Sequence, residues 1–381
     1  MKARLFYVFL ALFTSLTTLS LAQTDSSSLK TPTTKKNFQF IAFPVIGVSP
    51  VTKFEFGAGA ILSYHLGDKT ITRPSYVYSY NSYTVNKQTM INLLNNLYTE
   101  GNKWHIYANF SFIDYPVYFY GAGALPDGEF PKINSNRKNL LAFVERKVTK
   151  NLFTGIGSMY QSARFTDLSS TKPLENSTLE GKHGGNDIFL GGVVTYDTRD
   201  YENQTHKGYF LRIINVHTIG SGKYSTNQFT FDGRIFRPVT KNQFIGFQGY
   251  FSSVQGNTIP FYSLAQLGSA NLMRGYYNGR YLGQNYSVLQ SEYRYTPFLD
   301  RKDTGLFSLS RITLAGFAGM GNVFMNQQFE WKDVKPTYGF GARYMFNPKA
   351  RMCLRVDFAW GNKPNGMARE SGTYFAFNEA F

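Results

Sequence analysis

Few residues in this 381-residue chain are spaced for catalysis. The five histidines, His65, His105, His183, His206 and His217, form neither an H-E-x-x-H pair nor a metal-ligand cluster. No G-x-S-x-G elbow occurs, because "GIGSMY" at 155–160 lacks the last glycine. The one cysteine, Cys353, supports neither a disulfide framework nor a lipid anchor. No metal, cofactor or enzymatic reaction is expected; a Ser/His pair assembled from distant strands is the residual route to hydrolysis. The chemistry on offer is electrostatic. In "NTIPFYSLAQLGSANLMRGYYNGRYLGQNY" (257–286), Arg274 precedes Gly275, which tolerates unusual backbone angles. Tyr276 and Tyr277 follow, and their rings can cover a cation. Downstream, "YSVLQSEYRY" sets Gln290, Glu292 and Arg294 on one face and Leu289, Tyr293 and Tyr295 on the other. If the long segment folds inward, Arg274 meets Glu292 and ties loop to wall. An ordinary solvated loop arginine is the alternative.

Such a pair needs a wall, and the chain supplies a β-rich one. Aromatics are 17% of the residues, too many for a disordered chain, with 35 Phe and 27 Tyr. No stretch after the N-terminus approaches the ~18 apolar residues of a membrane helix. A soluble all-β domain and a transmembrane β-barrel both fit. In "KWHIYANFSF", Trp104, Ile106, Ala108, Phe110 and Phe112 oppose His105, Tyr107, Asn109 and Ser111. In "NQFTFDGRIF", Phe229, Phe231 and Ile235 oppose Thr230, Asp232 and Arg234; in "RVDFAW", Val356 and Phe358 oppose Arg355 and Asp357. A period of two gives one face to an apolar medium and the other to a polar one.

Turn signals divide the chain into about sixteen strands. They are expected near 37–48, 54–66, 73–84, 88–98, 103–113, 137–147, 152–165, 187–196, 208–219, 224–237, 243–255, 286–297, 309–324, 337–346, 353–361 and 373–381. Connections after even-numbered strands are mostly brief, as at 99–102, 149–151, 238–242 and 347–351. Several after odd-numbered strands are long: 114–134, 166–186, 256–285 and 362–372. Short turns at one end and long loops at the other are the outer-membrane pattern, with both termini at the periplasmic, short-turn end. The fold expected is therefore an all-β, transmembrane antiparallel barrel with one long extracellular loop folded into its lumen.

The N-terminus reads as a secretory signal over 1–22, with basic Lys2 and Arg4, an apolar run and a small-x-small site at Ser20-Leu21-Ala22. A polar leader at 23–36 precedes the barrel at 37–381. The formal charge of +16 falls to +14 once Lys2 and Arg4 leave with the signal. That charge reads as lumenal and loop cations facing outer-membrane lipid, lipopolysaccharide and solutes, with no nucleic acid implied. The last strand, "TYFAFNEAF", places Phe375, Phe377 and Phe381 on one face and resembles the C-terminal signal of outer-membrane barrels.

Four stretches together resemble the BamA/TamA superfamily of outer-membrane insertases and translocases. "LMRGYY" resembles its [V/I/L]-RG-[F/Y] loop motif, and "LQSEYRYTPF" the strand with an acidic partner. "LGGVVTYDTRDYENQTHKGYFLRI" (190–213) resembles its strand–turn–strand, and the aromatic end its last strand. The resemblance implies Arg274, Gly275 and Tyr276 as the inward loop tip, with Glu292 as wall partner. It implies Asp197, Arg199 and Asp200 as a periplasmic turn, whose acceptors and bidentate donor can pin it. The family's second acid, on strand thirteen, is replaced here by Gly319 in "FAGMGNVF". Arg274 should then lean mainly on Glu292 or on another lumenal acid. No POTRA domains precede strand one, so the POTRA-less branch is the one resembled.

The resemblance also implies a seam between the first and last strands that opens sideways. Pro44, which cannot donate to a ladder, and Gly47 in "FQFIAFPVIG" fit either a weak seam or a bulge in a closed barrel. Phe375, Phe377 and Phe381 are its expected other side. Three functions stay open: an insertase or translocase of client outer-membrane proteins with separate periplasmic or membrane subunits, a passive channel, and a structural subunit of a larger complex.

Overall fold

Alternation of apolar and polar residues over lengths that cross a bilayer builds one large antiparallel sheet, beside a two-stranded ladder of Ala265–Gln266 and Leu282–Gly283 in the long loop. The computed structural model describes residues 38–381 apart from 50–52, 86, 121–130, 221–222, 302–307, 327, 349–350 and 363–368. The expected signal and leader lie outside the described residues. Sixteen strands, each paired with its sequence neighbours, form the barrel sheet. They are β1 (Phe38–Ser49), β2 (Lys53–Tyr64), β3 (Ser75–Thr84), β4 (Thr89–Tyr98), β5 (Trp104–Tyr118), β6 (Lys132–Lys147), β7 (Leu152–Asp167) and β8 (Gly184–Asp197). The second half comprises β9 (Gly208–Thr218), β10 (Thr226–Thr240), β11 (Gln243–Gly256), β12 (Asn285–Tyr295), β13 (Ile312–Phe324), β14 (Lys335–Asn347), β15 (Met352–Gly361) and β16 (Glu370–Phe377).

The outer wall carries exposed Phe40, Ile156, Ile188, Val194, Ile235, Leu289, Leu314 and Phe358, an apolar band suited to lipid. Trp104, Tyr196, Tyr209 and Tyr293 ring the short-turn end, and Trp331 and Phe329 stand at the other. Amphipathic rings favour the two membrane interfaces, so their placement marks where the hydrocarbon stops.

Three elements depart from the expected layout. β5 and β6 run on through Pro116, which pairs with Asn134, so the loop between them is shorter than 114–134. Pro116 marks no strand end because a proline costs a ladder only the bond its N–H would have donated. At the short-turn end, 198–207 and 296–311 are longer than their counterparts at 99–103 and 148–151. Finally, the last strand stops at Phe377. Asn378 adopts φ 59°, and its N–H donates to Cys353 O at 2.8 Å. That left-handed residue breaks the period of two. Phe375 stays 66% exposed on the outer wall, whereas Phe381 is only 5% exposed and packs inside on Phe236. The expectation that these two phenylalanines share a face is corrected accordingly.

Much of the lumen is a packed core. One apolar cluster joins Phe143, Phe189, Val193, Ile214 and Val216 on the inner wall. A second packs Phe261, Tyr262, Leu264 and Leu282 of the long loop on Ile133 and Phe165 of the wall. A uniformly polar interior, as strict apolar-out alternation suggests, is therefore not what forms; strands β6 to β9 turn apolar residues inward at mid-height. Inner apolar side chains are stable because other side chains, and not a water column, cover them.

Candidate functional site

The loop at 257–284 enters the lumen and crosses to the wall built by β12 to β16. Its base is held by Tyr262, whose hydroxyl donates to Asp187 Oδ2 at 2.8 Å and whose carbonyl accepts from Gln161 Nε2 at 2.8 Å. At its tip Gly275 has φ 103°, and a Cβ there would lie 2.6 Å from the Trp360 carbonyl carbon. Only glycine fits both demands. Its N–H donates to the Tyr374 hydroxyl at 2.8 Å. Tyr276 lies flat against Gly361, its hydroxyl reaching Pro336 O at 2.5 Å and Asn362 O at 2.6 Å and donating to one at a time. Burial raises the Tyr276 and Tyr277 phenols well above their ordinary range, so both stay neutral.

Arg274 is fully buried. Its Nη2 donates to Glu292 Oε2 at 2.8 Å and its Nη1 to Asp357 Oδ2 at 2.6 Å. The guanidinium carbon sits 3.4 Å above the centre of the Phe317 ring, and the Thr337 hydroxyl donates to the Arg274 carbonyl. Charge-assisted bonds, a ring face and backbone seating thus converge on one side chain.

The second carboxylate is the finding that the sequence left open. Strand β13 offers Gly319 and Phe317, and the acid comes instead from β15, as Asp357. A Cβ at Gly319 would meet Gln290 Cβ at 2.7 Å, and Gln290 holds the loop by donating to Asn271 O at 2.9 Å. A side chain at 319 would displace that support. The two acids are embedded in more arginines. Arg294 donates to Glu292 Oε1 at 2.8 Å, and Arg343 donates to Glu292 Oε1 at 2.9 Å, Asp357 Oδ1 at 2.6 Å and Glu379 Oε2 at 2.8 Å. Arg355 donates to Asp357 Oδ2 at 3.2 Å and to Asn271 Oδ1 of the loop at 2.8 Å. Arg343, Arg355, Asp357 and Glu379 were not singled out by sequence reasoning as site residues. The signal for Arg343, Arg355 and Asp357 was the inward parity of charged residues on consecutive strands; Glu379 lies past the end of β16 and carried none.

The turn at 198–207 closes the opposite end. Arg199 grips Asp197 with Nε at 2.9 Å and Nη2 at 2.8 Å. Asp200 Oδ1 accepts from the N–H groups of Tyr201, His206 and Lys207 at 3.1, 3.0 and 3.3 Å. Arg73 of the β2–β3 connection also reaches Asp197, at 2.5 Å, while Arg351 of the β14–β15 turn stacks 3.6 Å over Tyr201. The three predicted residues therefore pin a turn that spans the barrel mouth.

At the seam, β1 and β16 stand at the two ends of the paired order. Among the described residues no backbone ladder joins them. Phe43 and Phe377 meet instead, ring centroids 4.1 Å apart, with Tyr78 at 5.4 Å from Phe377. Pro44 pairs with Ala58 and Gly47 with Glu55 in an unbroken β1–β2 register, so no bulge forms there.

A family profile described as the Omp85 superfamily domain matches residues 56–381. No curated protein matches the sequence. Among solved structures, BamA from Haemophilus ducreyi lacking POTRA domains 1–3 is similar over 90% of this chain and 70% of its own, at 12% identity and TM-score 0.56. CdiB from Acinetobacter baumannii is similar over 90% and 59%, at 11% identity and TM-score 0.54. CdiB from Escherichia coli is similar over 89% and 61%, at 12% identity and TM-score 0.53. The chain thus spans about 60% of the CdiB chains.

Proposed function

The chain belongs to the Omp85 superfamily, and from that premise we propose that it inserts or translocates other outer-membrane proteins without enzymatic chemistry. The observation that carries this reading is the seam, where rings touch and no ladder forms among the described residues. Backbone groups in hydrocarbon must find partners, and a free strand edge is a template for an incoming strand. A ring pair is worth ~0.5–1.5 kcal/mol beyond its burial, against ~0.5–1.5 kcal/mol for each bond of a ladder. Parting Phe43 from Phe377 therefore costs far less than unzipping two paired strands.

The anchored loop adds to the argument. Its tip bonds to β12, β14, β15 and β16, so that side of the barrel moves as one body when the edge of β16 swings away from β1. A passive channel fits less well, since the loop, the ion network, the inner apolar cluster and the 198–207 turn occupy successive levels of the lumen. In this reading the start of β1, the end of β16 and this turn face the periplasm, where clients and partner subunits arrive.

The test uses the full chain with Cys353→Ala, Phe43→Cys and Phe377→Cys, joined by a reducible bis-maleimide and reconstituted in vesicles with an unfolded porin as client. The unlinked barrel should speed client folding, the linked one should not, and reduction should restore it. Equal activity with the seam closed, or conductance without any effect on the client, refutes the proposal.

A further inference from the structure

Arginines that face the lumen are paired with acids almost throughout. Arg212 approaches Glu145 at 3.9 Å, Arg234 meets Asp232 at 2.5 Å, and Arg280 meets Glu370 at 3.0 Å. Arg274, Arg294, Arg343 and Arg355 share the acids of the loop network. Arg137 of β6 differs. Its Nε donates to Ser135 Oγ at 3.0 Å and its guanidinium carbon lies 5.2 Å from the centre of the Phe165 ring. Among the described residues no carboxylate comes within ion-pair distance of it. A guanidinium cannot shed its charge, and with no acid beside it among the described residues this one is available to an anion from outside the chain.

The space beside it has an unusual shape. A cavity of about 970 Å³ lies under the long loop and touches Arg137, Ile113 and Tyr115 on the inner wall. The same cavity touches Phe358 and Thr373. Phe358 is 41% exposed on the lipid side, and Thr373 is exposed there too. Phe358 and Thr373 pair with each other on the last two strands, so the space reaches the end of the sheet. Here the edge is β16, which has no ladder to β1 among the described residues.

We propose that this cavity binds the phosphate-bearing headgroup of an anionic lipid that enters past the edge of β16, with Arg137 as the anion contact. Phosphate offers paired oxygens matching the guanidinium fork. The apolar lining along Ile113 and Phe358 suits the first methylenes of an acyl chain, and free phosphate has nothing to place there. The volume lies at the upper end of ordinary ligand sites, enough for a headgroup and the chain origins. This site does not depend on whether the barrel handles protein clients.

The experiment places the full chain in nanodiscs with a photoreactive phosphatidic acid or the matched phosphatidylcholine, and maps adducts by mass spectrometry. Phosphatidic acid should label the inner wall around Tyr115 and Tyr374, and phosphatidylcholine only outward positions. Arg137→Gln should lower the inner labelling about tenfold or more. Arg137→Lys, which keeps the charge and loses the fork, should keep only part of it, and Lys138→Gln, on the outer face, should keep all of it. Thr373→Trp narrows the path without touching the guanidinium and should slow labelling, which keeps the test intact if Arg137→Gln fails to assemble. Inner labelling unchanged in Arg137→Gln and Thr373→Trp, or absent from the native chain, overturns the proposal. Displacement by inorganic phosphate as effective as by lipid overturns the lipid part and leaves a simple anion site.

Discussion

Truncating Glu292 should damage the barrel more than truncating Arg274, although the two form one ion pair. Glu292 takes bonds from three guanidiniums, those of Arg274, Arg294 and Arg343, and all four groups are buried. Glu292→Ala leaves three cations facing one vacated site in a low dielectric. Removing one member of a buried pair costs about 3–5 kcal/mol, mostly as the penalty of the charge left behind. Arg274→Ala is different. Glu292 keeps Arg294 and Arg343, and Asp357 keeps Arg343 and Arg355. Two charge-assisted bonds at ~1.5–3 kcal/mol each are lost but partly recovered by those neighbours, so about 2–3 kcal/mol is expected. The double variant should be milder than the sum by at least about 1 kcal/mol, because losing Arg274 relieves the repulsion that losing Glu292 creates. Urea titration in detergent micelles, with the folded fraction read as the heat-modifiable band on gels, measures all three. Arg274→Ala as harmful as Glu292→Ala, or strictly additive effects, would refute this account of the network.

Gly275→Ala should unseat the loop tip, costing at least about 1–2 kcal/mol for the left-handed backbone alone, and protease should then cut within 257–284. Asp197→Ala strips Arg199 of both its carboxylate bonds and Arg73 of its shortest one. A loss of about 2–4 kcal/mol is expected, together with larger conductance in planar bilayers as the turn leaves the mouth. Burial, and then Arg351, lowers the His206 pKa below its ordinary value. The unfolded chain therefore binds the proton more readily, so the His206 contribution is present above about pH 6.5 and fades as pH falls through the lower folded value. His206→Asn should flatten the decline in unfolding midpoint between about pH 7 and pH 5; an unchanged slope would sink that assignment.

Much of this protein is written along the chain. Period-two alternation in "KWHIYANFSF" or "RVDFAW" assigns side chains to the two faces of a strand through local geometry alone, and the turns between such runs count the strands. Arg274 and Glu292 were legible for the same reason: one sits beside a glycine in an unusually long loop, the other at inward parity on the next strand. Asp357 has equal parity and charge, yet nothing local says that β15 stands beside the loop tip. That proximity comes from the stagger of β12 to β16 around a curved wall, which is a property of all the pairings together. The inward turn at Asn378 depends on a single positive φ, and its consequence, Phe381 packed inside on Phe236, cannot be read from a period that Asn378 interrupts. The apolar lumen of β6 to β9 is likewise a tertiary outcome, since alternation names two faces but not what covers each. The cavity beside Arg137 depends on where the edge of β16 falls relative to a strand ten pairings away. Local sequence decided which side of the sheet each residue takes; curvature and register decided which residues meet across it.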